Sequence, residues 1–229
     1  MTFGSLFTGI GGMDLGLERA GMQCKWQVEI DPFCRQVLTK HWPEVPKYED
    51  VRAVGPQLES VDLIAGGFPC QDISVAGKKA GIEGERSGLW SEYARIVGQL
   101  RPRLVLVENV PGLLEQGMGR VLGDLASLGY DAQWNVLPAA AVGLPHVRER
   151  VFIIAYPQCQ GLERERLSKV FTPYGISQQV RGKRLSKRDT VRSRNGVPNW
   201  VDRIRGCGNA VCPPVAEWIG RRIMISMTS

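Results

Sequence analysis

The chain has 229 residues, of which 43% are apolar, and this size is typical of one α/β domain with a modest appendage. No apolar run approaches the length needed to cross a membrane, and Met1 leads directly into a glycine-rich segment, so we expect a cytoplasmic protein without a secretory signal. The six cysteines are expected to stay reduced. They form no C-x-x-C pairs, and the chain has only two histidines, so no metal site is expected.

The net charge of +6 is concentrated in one stretch of the chain. Residues 181–205 contain nine Lys and Arg against two Asp, which leaves the rest of the chain close to neutral. A neutral body with one basic stretch fits a protein that binds a polyanion. A solvated, flexible loop explains the same charge equally well.

The first 155 residues alternate short apolar runs with segments of helical periodicity. Strands are predicted at residues 4–7, 25–29, 62–65, 104–108, 133–137 and 151–155, and helices near residues 13–20, 32–41, 89–100 and 120–128. Near-continuous apolar strands separated by helices indicate an α/β fold with a mostly parallel sheet and helices on both faces. Ligands of such sheets bind outside the carboxyl ends of the strands.

After residue 155 the composition changes. Residues 156–200 are rich in Arg, Lys, Gln, Ser and Gly and show no clear period. A further helix is expected to begin at Pro213 and Pro214. Its predicted apolar stripe consists of Val215, Trp218, Ile219 and Ile223.

The first strand leads into the sequence LFTGIGGMDLG. Gly9, Gly11 and Gly12 allow the backbone to pass close to a bound small molecule. A G-x-G-x-x-G dinucleotide fingerprint needs glycine at position 14, where this chain has Asp14, so pyrophosphate binding is disfavoured while a nucleoside remains compatible. Glu29, at the end of the next strand, is placed to accept hydrogen bonds from two ribose hydroxyls.

Two other readings of these residues remain open. Asp50 could bind an adenine amino group, or it could be a surface acid. The glycines could form a tight turn and Glu29 could be a surface acid. The order of strand, glycine loop, helix, strand and acid favours a nucleoside site.

Cys70 lies just past the end of a predicted strand, in the sequence GGFPCQDIS. A cysteine thiolate is a nucleophile, and cationic groups near it lower its pKa. The glycine-rich loop that follows is predicted to close over a substrate. A buried, unreactive cysteine is the alternative.

Glu108 ends another predicted strand, so its carboxylate can share a cleft with Cys70. Arg148 and Arg150 lie on one side of the chain if that segment is extended. The alternative readings are a strand-end cap for Glu108 and a solvated edge for the two arginines.

Taken in order, five motifs resemble those of the DNA cytosine-5 methyltransferase family. They are FTGIGG at 7–12, GGFPCQDIS at 66–74, ENV at 108–110, RER at 148–150 and GNAV at 208–211. The similarity covers residues 3–155 and 199–223. It implies the Rossmann-like fold of S-adenosylmethionine-dependent methyltransferases, with a catalytic and cofactor-binding domain at 1–155, a short target-recognition region at 156–198 and a returning C-terminal segment at 199–229.

Three groups of site residues follow from this resemblance. The implied catalytic residues are Cys70, Glu108, Arg148 and Arg150. The implied cofactor-binding residues are Phe7, Gly9, Gly11, Gly12, Glu29, Ile30, Asp50, Pro69, Asn209 and Ala210. The implied DNA-binding residues are Gln71, Ser74, Lys78, Lys79, Arg86, Arg192 and Arg194.

The implied activity is methylation of carbon 5 of cytosine in double-stranded DNA at a short sequence, with S-adenosylmethionine as donor and S-adenosylhomocysteine as product. Cys70 would add to carbon 6 of a flipped-out cytosine, Glu108 would bind N3 and the exocyclic amine, and Arg150 would support the base. The expected partner is duplex DNA, the expected state is a monomer, and a restriction endonuclease of the same system is compatible with the sequence.

Some features depart from the family pattern. His146 stands where a glutamine commonly precedes the arginine pair, and the recognition region is short, which indicates a short or relaxed target sequence. An RNA cytosine methyltransferase is the main alternative, but its tRNA-acting branch typically carries a Cys-Phe-Thr tripeptide that this chain lacks. A catalytically inactive DNA-binding relative would have lost Cys70 or Glu108. A nicotinamide-dependent oxidoreductase is disfavoured by Asp14.

Overall fold

The computed structural model describes residues 1–69, 88–158, 165–166, 170–171 and 210–228. The strands are β1 (Thr2–Leu6), β2 (Gln23–Val28), β3 (Lys47–Tyr48), β4 (Leu63–Gly66), β5 (Leu104–Asn109), β6 (Tyr130–Pro138) and β7 (Glu149–Pro157). The helices are α1 (Gly12–Arg19), α2 (Pro32–His41), α3 (Leu89–Leu100), α4 (Leu113–Gln116), α5 (Met118–Ser127) and α6 (Pro213–Thr228). Short 3-10 turns lie at Val51–Ala53 and Ala139–Val142.

The described strands form one sheet in the order β3-β2-β1-β4-β5-β7-β6. All pairings from β3 to β5 are parallel, whereas β7 runs antiparallel to both β5 and β6. The predicted mostly parallel α/β sheet is therefore confirmed. The antiparallel pair follows from chain length, because only residues 139–148 connect β6 to β7 and contain no crossover helix.

Helices cover both faces of the sheet. Successive side chains of a strand point to opposite faces, so a strand that is buried along its length needs cover on both. In β5, Val105 and Val107 pack with α3 and α5, while Leu104 and Leu106 face the opposite side with α1 and α6. All six residues of β5 are buried, so this strand lies at the centre of the core. Among the described residues, no helix has the length and apolar character needed to cross a bilayer.

The predicted bounds of α2 and α3 agree with the structure. The Asp31 side chain caps α2 by accepting from the backbone N–H groups of Phe33 and Cys34. On α3, Trp90 is buried and donates its indole N–H to Asp124 on α5 at 2.9 Å. This contact between helices depends on tertiary packing, and helical periodicity does not reveal it.

The C-terminal helix packs directly on α1 through small residues. A Cβ at Gly16 would lie 2.4 Å from the carbonyl oxygen of Pro213 and 2.5 Å from the Cβ of Ala216. A Cβ at Gly220 would lie 2.7 Å from the Cβ of Ala20. The two helix backbones therefore approach closely only because these positions are glycine.

Substituting Gly16 with Ala is expected to destabilise the fold. A glycine-to-alanine change inside a helix ordinarily stabilises by up to about 1 kcal/mol, but overpacking against the α6 backbone reverses the sign by about 1–3 kcal/mol. Gly123→Ala is the matched control, because that glycine lies inside α5 and a Cβ there would meet no heavy atom within 4 Å. Urea unfolding measures both variants, and equal stabilisation of the two would contradict the α1–α6 packing.

Candidate active site and cofactor site

The carboxyl ends of β1, β2, β4 and β5 meet at one edge of the sheet, where the predicted site residues lie. Because β7 is antiparallel, its first residues lie at the same edge, and Val151 pairs with Asn109. This arrangement brings the beginning of β7 next to the acid at the end of β5. The sequence predicted the shared edge for the parallel strands but not the reason that the arginines reach it.

The loop between β1 and α1 has an unusual backbone. Phe7, Gly9 and Gly11 all have positive φ, at 54°, 59° and 84°. The Thr8 backbone N–H and hydroxyl both donate to the carbonyl of Val28 at the end of β2, at 3.1 and 3.2 Å. The loop is thus attached to β2 as well as to its own strand.

The three loop glycines have different structural reasons. A Cβ at Gly12 would lie 2.3 Å from the carbonyl oxygen of Val211, and one at Gly11 would lie 2.5 Å from the Trp42 ring. Both positions are therefore explained by packing within the protein. A Cβ at Gly9 would meet nothing within 4 Å, so its positive φ and not packing within the protein favours glycine there. The close approach of a small molecule stays a prediction for all three glycines.

Glu29 is held at the mouth of this loop. One carboxylate oxygen accepts from the Gly9 N–H at 2.6 Å, and the other accepts from the Asp31 N–H at 2.8 Å. Burial raises the pKa of Glu29, and these two backbone donors oppose that shift. Each oxygen still has a lone pair for a further donor, so the carboxylate suits a pair of hydroxyl groups.

Two other predicted cofactor residues are Ile30, which follows Glu29, and Asp50, which lies two residues after β3. The Ile30 side chain is 67% exposed, which makes it one of the large apolar side chains left open to solvent. Asp50 caps the turn at Val51–Ala53 by accepting from the Arg52 N–H at 2.9 Å. The sequence did not predict this capping role of Asp50.

Glu108 is the buried acid of the site. Glu108 is only 7% exposed, and one of its carboxylate oxygens forms a 2.8 Å ion pair with Nε of Arg150. The other oxygen would lie 2.4 Å from a Cβ at Gly67, so it packs directly against the chain that leads from β4 towards residue 70. Burial raises the pKa of Glu108 to about 7, although Arg150 and Arg148 both lower it.

Arg148 and Arg150 do not share one task. Arg150 binds Glu108, whereas Arg148 donates from Nη2 to the carbonyl of Ala210 at 3.0 Å. The buried Nε of Arg148 has no hydrogen-bond partner among the described residues. Arg148 therefore connects the start of β7 to the segment before α6 in this structure.

A cavity of about 540 Å³ adjoins the glycine loop. Its lining combines the loop, the outer sides of α1 and α2, and the segment before α6. The lining residues are Ile10, Gly11, Gly12, Leu15, Glu18, Val37, His41, Trp42, His146, Arg148, Ala210, Val211, Cys212 and Pro213. Sequence reasoning missed Trp42 and Cys212, because neither belongs to a motif. No metal-binding group of His, Cys, Asp or Glu exists within the described ranges.

Several predicted site residues lie outside the described residues. These are Cys70, Gln71, Ser74, Lys78, Lys79, Arg86, Arg192, Arg194 and Asn209. Pro69 is described and half-buried, immediately before Cys70. The structure therefore brings the glycine loop to Glu29 and Arg150 to Glu108 at one edge of the sheet. The roles of all the predicted site residues stay predictions.

The fold defines the class of protein: it is the Rossmann-like fold of S-adenosylmethionine-dependent methyltransferases. A protein described as a DNA modification methyltransferase encoded within an E. coli prophage has a TM-score of 0.59 and 28% identity, with 69% of this chain and 47% of that chain aligned. The S. pombe Dnmt2 methyltransferase has a TM-score of 0.62 over 85% of this chain and 62% of its own. At 20% identity, this second likeness concerns the fold alone.

Within that class, the chain belongs to the C-5 cytosine-specific DNA methylase family, whose model matches residues 1–194. The type II methyltransferase M.AquIA of Picosynechococcus is 34% identical, with 82% of this chain and 84% of the relative covered. The type II methyltransferase M2.BsuMI of Bacillus subtilis is 40% identical, with 66% of this chain and 41% of the relative covered. The chain thus spans less than half the length of M2.BsuMI.

Proposed function

We propose that this protein methylates carbon 5 of cytosine in double-stranded DNA, with S-adenosylmethionine as donor and S-adenosylhomocysteine as product. The observation that carries the proposal is the buried Glu108, which pairs with Arg150 and packs against Gly67, a residue three positions before Cys70. An acid with a pKa of about 7 holds a proton near neutral pH and can give it to a substrate atom. Membership of the family supports cytosine as that substrate.

The residues at the glycine loop fit a nucleoside cofactor. Glu29 offers a lone pair on each oxygen for the ribose hydroxyls, and the exposed Ile30 side chain offers an apolar surface for adenine. Gly9 leaves open space where a side chain would otherwise stand. Seven further residues complete the proposed set: Phe7, Gly11, Gly12, Asp50, Pro69, Asn209 and Ala210. When bound, S-adenosylmethionine supplies an electrophilic methyl group.

The chain's own residues activate the cytosine ring. Carbon 5 of cytosine is a poor nucleophile, so we propose that the Cys70 thiolate adds to carbon 6 while Glu108 protonates N3. Arg150 holds Glu108 and the base in place. This addition makes carbon 5 nucleophilic, and later loss of the carbon 5 proton expels Cys70. The ring of a paired base is inaccessible to such addition, so the proposal includes flipping of the base.

DNA binding is proposed for the polar and basic residues that follow Cys70 and for the basic stretch 181–205. Lys and Arg there would contact phosphates, which position the duplex without specifying sequence. Because the relatives are type II methyltransferases, we also propose a restriction endonuclease of the same specificity as a partner. The proposed location of the protein is the cytoplasm of a bacterial cell or phage-infected host. Protection of the methylated site from cleavage tests the proposed partner once the site is mapped.

Labelled methyl transfer tests the proposed function. Purified protein is incubated with S-adenosylmethionine labelled in its methyl group and with either duplex DNA or transfer RNA. We expect label in DNA, recovered as 5-methylcytosine after nucleoside digestion, and none in the RNA. Label confined to the RNA would replace the proposed substrate with the RNA alternative, and no label in either would reject the methyltransferase activity.

A further inference from the structure

A carboxylate is buried beneath the glycine loop. Asp14, in the first turn of α1, is 0% exposed. Its Oδ1 accepts from the Ser5 hydroxyl at 2.7 Å, and its Oδ2 accepts from Nε2 of Gln27 at 2.7 Å. The Cys24 thiol lies 3.9 Å from the same Oδ2. Hydrogen bonds from two strands therefore converge on one side chain.

No Lys or Arg of the described ranges forms an ion pair with Asp14. Burial raises its pKa to about 6, the hydrogen bonds from Ser5 and Gln27 lower it, and Glu18 on the same helix raises it. Cys24 on β2 is the other titratable neighbour, and its own pKa is raised by burial and by Asp14. The partial positive charge of the α1 N-terminus is the remaining compensation for the charge.

The sign of this shift means that ionised Asp14 does not stabilise the fold. Its pKa is higher in the folded chain than its ordinary value of 3.8, so its contribution to stability is full at acidic pH and is lost as the pH rises through about 6. At neutral pH Asp14 is therefore an ionised, buried group without an ion-pair partner in the part of the chain that the structure describes. Stability alone does not explain an aspartate at this position.

The partners of Asp14 lie close in sequence to the proposed cofactor residues. Ser5 lies two residues before Phe7, and Gln27 lies two residues before Glu29. Asp14 itself lies two residues after Gly12. The Asp14 carboxylate thus connects three elements near the cofactor site. It joins the end of β1 and the start of α1, which flank the glycine loop, to the end of β2, which precedes Glu29.

We propose that Asp14 is a positioning residue for the cofactor site: by accepting from Ser5 and Gln27, it holds the glycine loop and Glu29 in register with each other. The inference rests on the proposed function, since the ligand is S-adenosylmethionine. Asp14 acts through the loop and does not touch the ligand. Its loss therefore weakens cofactor binding rather than the chemical step.

Calorimetric titration with S-adenosylmethionine at pH 8 tests the inference. Asp14→Ala is expected to weaken binding about tenfold, the factor that corresponds to ~1.4 kcal/mol. Ser5→Ala removes one donor and is expected to weaken binding about fivefold. Asp14→Asn has the hydrogen-bonding pattern of the protonated acid, one acceptor and one donor group, so it keeps only one of the two contacts and is expected to weaken binding about fivefold at pH 8, as Ser5→Ala does.

Tyr130→Phe is the control for a general loss of stability. Its hydroxyl also makes one buried hydrogen bond, to the Pro102 carbonyl at 2.7 Å, but at the amino end of β5, away from the loop. We expect a loss of stability comparable to that of Ser5→Ala and unchanged cofactor binding. If Asp14→Ala does not fold, the contrast between Ser5→Ala and Tyr130→Phe decides.

The pH profile supplies a readout that a merely structural role would not change. Protonated Asp14 cannot accept from both partners as the carboxylate does, so wild-type affinity is expected to fall as the pH drops through about 6. Asp14→Asn should lack this part of the fall, while the contribution of Glu29 remains in both proteins. Equal profiles, or folded Asp14→Ala and Ser5→Ala proteins that bind as the wild type does, would overturn the inference alone. A wild type that binds no S-adenosylmethionine would overturn the proposed function with it.

Discussion

Replacing Cys70 with Ala abolishes methyl transfer in the proposed mechanism and leaves cofactor binding intact. Without the sulfur atom nothing adds to carbon 6, so carbon 5 remains a poor nucleophile. We expect turnover to fall by at least about 10⁴-fold, which is typical of the loss of a covalent nucleophile. Because the cofactor-binding residues proposed at β1 and β2 are unchanged, the affinity for S-adenosylmethionine should stay within about twofold.

Cys34→Ala is the matched control for this variant. Cys34 is a buried cysteine on α2, and neither the motifs nor the geometry give it a part in the site. We expect this variant to keep wild-type turnover. Full turnover by Cys70→Ala would exclude the proposed nucleophile, and loss of cofactor binding in that variant would show that its effect is not confined to chemistry.

The second large effect is expected from Glu108→Gln. The amide keeps the shape of the acid and can donate a hydrogen bond to N3, but it cannot transfer a proton. General acid catalysis typically contributes about 10²–10⁴-fold, so we expect a loss of turnover in this range with little change in cofactor affinity. Single-turnover methyl transfer on duplex DNA measures the chemical step directly.

Glu108 also predicts a pH dependence. Its pKa is raised from 4.5 to about 7, so the protonated form that the reaction needs is lost as the pH rises through about 7. The same sign holds for stability, since the contribution of Glu108 is full below its ordinary pKa and is lost through about pH 7. The alkaline fall in kcat/KM for DNA should therefore disappear in Glu108→Gln.

Glu115→Gln controls for the removal of a carboxylate nearby. Glu115 is exposed on the short helix α4, seven residues after Glu108. Turnover and pH profile of this variant are expected to match those of the wild type. A Glu108→Gln protein that retains both would remove the acid from the mechanism.

The shared edge of the site could be predicted because parallel strands end on the same side of a sheet. Glu29 and Glu108 end apolar strands, and that pattern was enough to group Glu29 with the glycine loop and Glu108 with Cys70. The two β-strands before and after the glycine loop were also found, with bounds shifted by two residues or fewer. The two-residue strand β3 was not, since Lys47 and Tyr48 carry no alternation to detect.

The position of the arginines was harder to predict. An extended segment places Arg148 and Arg150 on one side, yet they bind different partners, Ala210 and Glu108. The difference arises because Arg150 lies within β7, paired against β5, while Arg148 precedes that strand. The predicted strands at 133–137 and 151–155 leave thirteen residues between them, enough for a crossover, so the sequence did not indicate the antiparallel pair; the ten-residue connection in the structure excludes a crossover helix.

Burial of a polar residue was the least predictable feature. Asp14 attracted notice only because it replaces a fingerprint glycine, and nothing in its sequence neighbourhood shows that Ser5 and Gln27 both point to it. Gly11 and Gly12 are a second case: motif reasoning assigned them to a ligand, and the structure adds contacts with Trp42 and Val211 that also require glycine there. Trp42 follows α2 and Val211 precedes α6, so these contacts form only when the two helices pack beside the loop.

Covalent trapping on duplex DNA that carries 5-fluorocytosine tests the attack by Cys70 most directly. Fluorine cannot leave carbon 5 as a proton does, so the enzyme should remain attached to the base after methyl transfer. With S-adenosylmethionine present, we expect a protein–DNA band that survives denaturation with the wild type and is absent with Cys70→Ala. A wild type that methylates ordinary DNA without forming this band, or a Cys70→Ala protein that still forms it, would contradict the account.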